Sequence, residues 1–188
     1  MNSFLKRSDI KARLPLFAIW AGVAFLGVLL DQISKILVLK HLPKDGVFKI
    51  IPYVFNFTYV ENKGAAWGML ADHRWVFMTV STVAIILLLF VLFYYSNGQK
   101  MFCICLSMIV CGGIGNMIDR IALGFVVDFI QFGFWTSFPV FNVADMFITV
   151  GCALMVIYVM FFDKTVFNDK AKNTEAKEKE NENEDGGN

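Results

Sequence analysis

Two aspartates, Asp128 and Asp145, stand at the two ends of an aromatic segment and could carry out acid–base chemistry. The sixteen residues between them include six aromatic side chains and no charged side chain. In such surroundings the two carboxyl groups would share one proton, because desolvation and mutual repulsion oppose the ionisation of both. One carboxylate can then take a proton from water while its protonated partner donates to a carbonyl oxygen, which is the chemistry of an aspartic protease.

Two other acids, Asp31 and Asp119, remain open as partners when only the residues are considered. Asp31 and Lys35 have the i, i+4 spacing, with the acid first, that favours an ion pair along a helix. A structural pair is therefore the preferred interpretation of these two residues. Asp119 is interpreted in a similar way, as a partner of the adjacent Arg120 or of a phospholipid headgroup.

The sequence gives no indication of metal or cofactor chemistry. The four cysteines lie in apolar runs and form no CxxC pair. His41 and His73 do not form an HExxH motif. The stretch "CGGIGN" lacks the third glycine of a dinucleotide-binding fingerprint, and its Gly112 and Gly115 indicate close helix packing instead. We therefore predict no metal ion and no organic cofactor.

The elements that must position these acids are membrane spans. The chain is 57% hydrophobic and only 18% charged, which is too apolar for an ordinary soluble domain. About eighteen uncharged residues are needed to cross a hydrocarbon core of about 30 Å. The uncharged runs Trp75 to Tyr95 and Met101 to Ile118 meet this requirement, and Phe141 to Phe162 does so if Asp145 is tolerated. The run from Leu14 is uncharged for seventeen residues, and its apolar pattern continues to about Leu39. We therefore predict four spans within residues 1–162: about 14–39, 75–95, 101–121 and 141–162. The expected fold is an all-α membrane protein, a bundle of four transmembrane helices.

Basic residues before the first span, together with Lys100 in the turn after the second span, place both termini in the cytoplasm. The segments 40–74 and 122–140 then lie outside. The first of them alternates in part between apolar and polar residues, which predicts a small β-rich extracytoplasmic loop that rests on the membrane interface. The mixed-charge tail, residues 163–188, is predicted to be disordered and cytoplasmic.

In this topology, all the acids of the spans lie in one outward-facing layer. Asp31, for example, comes about 25 Å along a helix that starts at Leu14. The segment between Asp128 and Asp145 is predicted to fold back and bring these two acids to one depth. A proton-coupled transporter is the alternative, because buried acids also serve as proton relays. A relay should cross the membrane, however, and the cytoplasmic halves of the spans lack ionisable residues.

Four motifs follow one another along the chain: "DQISK", "FNFTYVENKGAAWG", "GGIGNMIDRIALGFVVDFI" and "FPVFNVAD". Together they resemble the lipoprotein signal peptidase (signal peptidase II) family, which are bacterial membrane aspartic proteases. The resemblance implies that Asp128 and Asp145 form the catalytic dyad. It also implies supporting or substrate-binding roles for seven residues: Asn62, Gly64, Asn116, Arg120, Asn142, Asp31 and Lys35.

The resemblance further implies the substrate and the location. The substrate would be a diacylglyceryl-modified prolipoprotein, and the enzyme would remove its signal peptide by cleaving before the lipidated cysteine. The protein would lie in the bacterial cell (inner) membrane among phospholipids, with its active site near the outer face. We expect it to act as a monomer, without nucleic acid, metal or organic cofactor.

Overall fold

Four long helices form the body of the molecule in a computed structural model that describes residues 7–44, 46–64, 74–96 and 100–162. They are α1 (Arg7–His41), α2 (Arg74–Tyr95), α3 (Lys100–Ala122) and α4 (Val143–Phe161). Each is long and apolar enough to cross a membrane. The predicted architecture of four membrane helices is therefore confirmed. The tail, residues 163–188, lies outside the described residues.

Helix α3 is the centre of the bundle. In its apolar window 56% of the residues are buried, against 6–11% in the other three helices, and α3 packs against each of them. Many outward side chains of the other helices are large and apolar, as lipid-facing side chains are. The predicted close packing at Gly112 is also present, because a Cβ atom there would overlap the carbonyl oxygen of Ala144 in α4.

A three-stranded antiparallel sheet lies beside the bundle. Its strands are β1 (Val47–Ile51), β2 (Phe55–Asn62) and β3 (Val126–Phe132), in the spatial order β1-β2-β3. The first two strands come from the segment in which β structure was predicted, and they are joined by a turn in which Tyr53 has a φ of 65°. The third strand comes from the segment after α3, for which no strand was predicted.

Asp128 was expected in the outer segment 122–140, for which no strand was predicted, but it belongs to strand β3. Gly124 follows α3 with a φ of 88°, a left-handed conformation that glycine adopts without strain, and the chain then turns into the strand. Asn62 pairs with Val126 and Val60 with Asp128 across the sheet. The pairing of β2 with β3 therefore fixes the position of Asp128 relative to β2.

The chain then folds back from β3 to α4, as predicted. Phe141 donates its N–H to the carbonyl of Ile130 at 3.0 Å, and Ile130 donates its N–H to the carbonyl of Phe141 at 2.7 Å. This bridge closes the aromatic segment and places Asn142, the cap residue of α4, next to Asp128. The first turn of α4 therefore starts beside the strand.

Candidate active site

Asp145 belongs to a capping box at the start of α4. Its main-chain N–H donates to the side-chain oxygen of Asn142 at 3.0 Å, and its Oδ2 accepts the main-chain N–H of Asn142 at 3.1 Å. The positive end of the helix dipole and the N–H of Asn142 stabilise a negative charge on the carboxylate. Asp145 is consequently fixed in the first turn of the helix.

Asp128 is almost fully buried, with 2% of its surface exposed. Its Oδ1 accepts a hydrogen bond from Asn142 Nδ2 at 2.6 Å, and its Oδ2 accepts one from Asn62 Nδ2 at 2.8 Å. Burial and the negative charge of Asp145 raise the pKa of Asp128 to about 7, although the two amide hydrogen bonds act in the opposite direction. Asp128 therefore retains its proton at pH values well above those at which a carboxyl group usually ionises.

Two asparagine side chains connect the acids. Asn116 Nδ2 donates to Asp145 Oδ1 at 2.7 Å, while Asn142 Nδ2 donates to Asn116 Oδ1 at 3.0 Å as well as to Asp128. Each of the four carboxylate oxygens thus accepts at least one N–H donor. Such a network fixes the side-chain rotamers of both acids and keeps their carboxyl groups in one arrangement.

A buried charge cluster, which we define as Asp31, Lys35 and Asp119, lies next to the network. Lys35 Nζ is 2.9 Å from Asp31 Oδ2, 3.0 Å from Asp119 Oδ2 and 3.0 Å from Asn116 Oδ1. The predicted pair of Asp31 and Lys35 is present. Asp119 joins this pair, a connection that was not anticipated from the sequence.

Arg120 and Gly64 connect the end of β2 to α3. Arg120 donates from Nη2 to the carbonyl of Gly64 at 3.2 Å and from Nη1 to the carbonyl of Asn116 at 3.3 Å. The N–H of Gly64 donates to Asn62 Oδ1 at 3.0 Å, which orients the Asn62 amide toward Asp128. These residues therefore support the amide donor of the buried acid.

Both acids line a cavity of about 760 Å³. Five predicted site residues form its polar wall together with Thr149: Asn62, Asn116, Arg120, Asp128 and Asp145. The rest of its wall is largely apolar and includes Ile50, Ile51, Phe55, Phe57, Phe132, Phe138, Pro139 and Phe141. Such a combination of a large apolar surface with a few convergent polar groups is typical of a ligand site. In the described part of the chain, no three His, Cys, Asp or Glu side chains are grouped so that they could hold a metal ion.

The aromatic segment between the acids supplies part of the apolar wall. The Phe132 ring lies 5.2 Å from the rings of both Phe138 and Phe141 and 5.5 Å from that of Phe55. These rings exclude water from the side of the cavity next to β3. The aromatic composition that marked this segment in the sequence thus accounts for part of the apolar wall of the cavity.

The nine predicted site residues converge in space, but at different distances from the cavity. Five form its polar wall, while Gly64, Asn142, Asp31 and Lys35 stand behind that wall. Gln32 was not among the predicted site residues, and Asp119 was considered only as an alternative acid or as a partner of Arg120 or a headgroup. Asp119 is three positions after Asn116, so both lie on one face of α3. That spacing does not indicate its contact with Lys35, which lies on α1.

The fold and the site define a multi-pass membrane protein with two enclosed carboxylates in a largely apolar cavity. The sequence profile of the family described as signal peptidase (SPase) II matches residues 23–161. The chain therefore belongs to the signal peptidase II family, a family of bacterial membrane proteases.

Individual relatives agree with this assignment. The chain is similar to the lipoprotein signal peptidase of Clostridioides difficile, with 43% identity over 71% of this chain and 89% of the relative. It is 44% identical to that of Caldanaerobacter subterraneus over 74% of this chain and 93% of the relative. A solved structure described as a bacterial membrane enzyme superposes with a TM-score of 0.67 at 30% identity, covering 78% of this chain and 94% of that one.

Proposed function

We propose that the protein is an aspartic endopeptidase in which Asp128 and Asp145 activate a water molecule for peptide hydrolysis. The observation that carries the proposal is the joint exposure of these two acids to one cavity, with Asn116 and Asn142 linking them. Asp31 and Asp119, the other candidate partners, do not line that cavity and are paired with Lys35. The geometry therefore favours one pair of acids out of the combinations left open by the residues alone.

The environments of the two acids suggest different roles at the start of the reaction. Asp145 is surrounded by N–H donors at a helix N-terminus, so it carries the negative charge and takes a proton from the attacking water. Asp128, whose pKa is raised, holds the shared proton and donates it to the carbonyl oxygen of the scissile bond. The roles reverse when the tetrahedral intermediate collapses and the amine leaves.

The substrate class follows from the names of the relatives, which are lipoprotein signal peptidases. We assign to this chain the removal of the signal peptide from a diacylglyceryl-modified prolipoprotein by cleavage before the lipidated cysteine. The largely apolar wall of the cavity suits such a substrate, because both acyl chains and an apolar signal peptide would bury surface against it.

The same proposal includes the arrangement in the membrane. The basic residues near the N-terminus and Lys100 favour cytoplasmic termini, which would place the cavity near the outer face. A lipidated cysteine would lie at that depth, since its acyl chains keep it in the outer leaflet. We propose that the enzyme acts there as a monomer surrounded by phospholipids.

A proton-coupled transporter would need ionisable side chains along the length of the bundle. Among the described residues, the buried acidic and basic side chains are Asp31, Lys35, Asp119 and Asp128, and all belong to one connected network. This concentration favours a reaction centre over a relay.

The test is a cleavage assay with purified protein and a lipidated prolipoprotein, with the released signal peptide identified by mass spectrometry. Asp128→Asn and Asp145→Asn should each abolish cleavage, because one amide in the pair cannot complete the proton exchange. Glu61→Gln serves as the matched control, since it also turns an acid into an amide, but Glu61 does not line the cavity and pairs with the exposed Lys44. Wild-type cleavage by either aspartate variant would refute the dyad, and equal cleavage of an unlipidated substrate would refute the assigned substrate class.

A further inference from the structure

The buried charge cluster of Asp31, Lys35 and Asp119 reaches the two acids of the site through the main chain. Asp119 Oδ2 accepts the N–H of Val127 at 3.0 Å, and Asp31 Oδ1 accepts the N–H of Ala144 at 3.0 Å. Val127 immediately precedes Asp128, and Ala144 immediately precedes Asp145. Each acid of the pair is therefore anchored one residue upstream by a carboxylate of the cluster.

Lys35 connects the two anchors. Its ammonium group lies within 3.0 Å of both carboxylates, and Gln32 Nε2 forms a second connection by donating to Asp31 Oδ2 at 3.1 Å and to Asp119 Oδ1 at 3.0 Å. Strand β3 and helix α4 are thus tied to the same point on α1. These ion pairs and hydrogen bonds are nearly inaccessible to water, because Asp31, Lys35 and Asp119 are each at most 3% exposed.

From this arrangement we infer that Asp31, Lys35 and Asp119 are positioning residues that set the placement of Asp128 relative to Asp145 by holding the N–H groups of Val127 and Ala144. The inference rests on the proposed dyad and adds residues that do not touch the substrate cavity. We expect the geometry of the pair to be the main route by which the three residues affect the reaction.

Geometry of this kind has a large effect on rate. A displacement of about 1 Å between reacting groups can lower the rate about 100-fold. If the cluster works by position, the placement of the acceptor oxygen for Val127 matters more than the charge of residue 119. If the cluster contributes only charge or stability, the charge of residue 119 matters more than the placement of the acceptor oxygen.

Two variants of one residue separate these cases. Asp119→Asn removes the charge but leaves an amide oxygen where the N–H of Val127 can still donate. Asp119→Glu keeps the charge but moves the carboxylate by one methylene group away from its present contacts. We expect Asp119→Asn to retain kcat within about fivefold of the wild type and Asp119→Glu to lose about 10- to 100-fold, with KM unchanged in both because residue 119 lies outside the cavity wall.

Rates are measured per folded molecule, at a temperature below the thermal transition of each variant. Ser107→Ala is the matched control, since Ser107 is also buried on α3 and also contacts α1, by donating to the carbonyl of Trp20 at 3.2 Å, but is remote in sequence from both acids. It should lower thermal stability without changing kcat. The same comparison at Asp31, with Asn and Glu, repeats the test through Ala144 if a residue 119 variant does not fold.

The opposite order, with Glu faster than Asn, would overturn the inference, and so would equal wild-type rates or an effect on KM alone. Asp128→Asn is assayed in parallel as a reference for the dyad. If it is active, the proposed function fails; if it is inactive while the order at residue 119 is reversed, only the positioning role fails.

Discussion

Gly115 is the point at which α3 comes closest to the carboxylate of Asp31, so Gly115→Ala is a direct steric test of the geometry behind the site. A Cβ atom at this position would lie 2.5 Å from Asp31 Oδ2, 3.1 Å from Asp31 Cγ and 3.3 Å from the Cβ of Ala144. Ordinary contact begins at 3.4 Å, so the carboxylate would have to move by about 0.9 Å. The added methyl group therefore displaces an anchor of α4 without removing any polar atom.

The expected size of the effect follows from this displacement. Asp31 holds the N–H of Ala144, and a shift of about 1 Å transmitted to Asp145 would lower kcat up to about 100-fold. Overpacking at a buried position typically lowers the free energy of unfolding by about 1–3 kcal/mol. We expect a folded but slow enzyme, with KM for the prolipoprotein close to that of the wild type.

Cleavage kinetics and thermal unfolding in the same detergent measure the two effects separately. Gly113→Ala is the control on the same helix, because its Cβ would meet only the flexible side chain of Ile85, at 3.3 Å. Gly22→Ala is a second control, since no atom lies within 4 Å of its Cβ position. If Gly115→Ala cleaves as fast as these controls, the displacement of Asp31 has no influence on the acids and the reasoning is wrong.

Four further predictions concern the pair and its surroundings. Because the pKa of Asp128 is raised to about 7, kcat/KM should fall as the pH rises through about 7 and the shared proton is lost; a kcat/KM value that stays the same up to pH 9 would contradict this. The same shift predicts that the free energy of unfolding falls as the pH rises from about 4 to 7, because the carboxyl group of Asp128 loses its proton near pH 3.8 in the unfolded chain and only near pH 7 in the folded chain. Asp128→Asn should reduce this decline. Asn142→Ser should keep the helix cap, because serine also caps helices well, and should lower the free energy of unfolding by about 1–3 kcal/mol through the loss of a buried amide donor. It should also lower kcat about 10- to 100-fold, because Asp128 loses that donor; an active variant would show that this donor is dispensable. Cleavage should be unchanged by EDTA, and a loss that added metal restores would contradict a purely carboxylate mechanism.

The sequence predicts the helices of this protein well because lipid imposes a simple requirement on them. Long uncharged runs must be helical in a membrane, where every main-chain polar group needs an internal partner. The fold-back between Asp128 and Asp145 is predictable for the same reason, since the third and fourth spans have to connect on one side. Topology of this kind does not require knowledge of side-chain contacts.

Strand β3 shows where such reasoning stops. The run from Val126 to Phe132 is rich in β-branched and aromatic residues, a pattern typical of a strand, but its pairing partner β2 lies more than sixty residues earlier in the chain. Only the folded bundle brings the two segments together. The role of Asp119 was missed for a related reason, because its partner Lys35 lies on a different helix and no local spacing connects them.

The hydrogen bonds around the acids also determine where the catalytic proton can go. In the part of the chain that the structure describes, the groups observed to donate to the four carboxylate oxygens are amide nitrogens, those of Asn62, Asn116 and Asn142. Amide nitrogens give hydrogen bonds but do not take up protons near neutral pH. In the proposed mechanism the proton would therefore pass only among the two acids, the attacking water and the peptide, so that each turnover would balance its protons within the cavity and move none across the membrane.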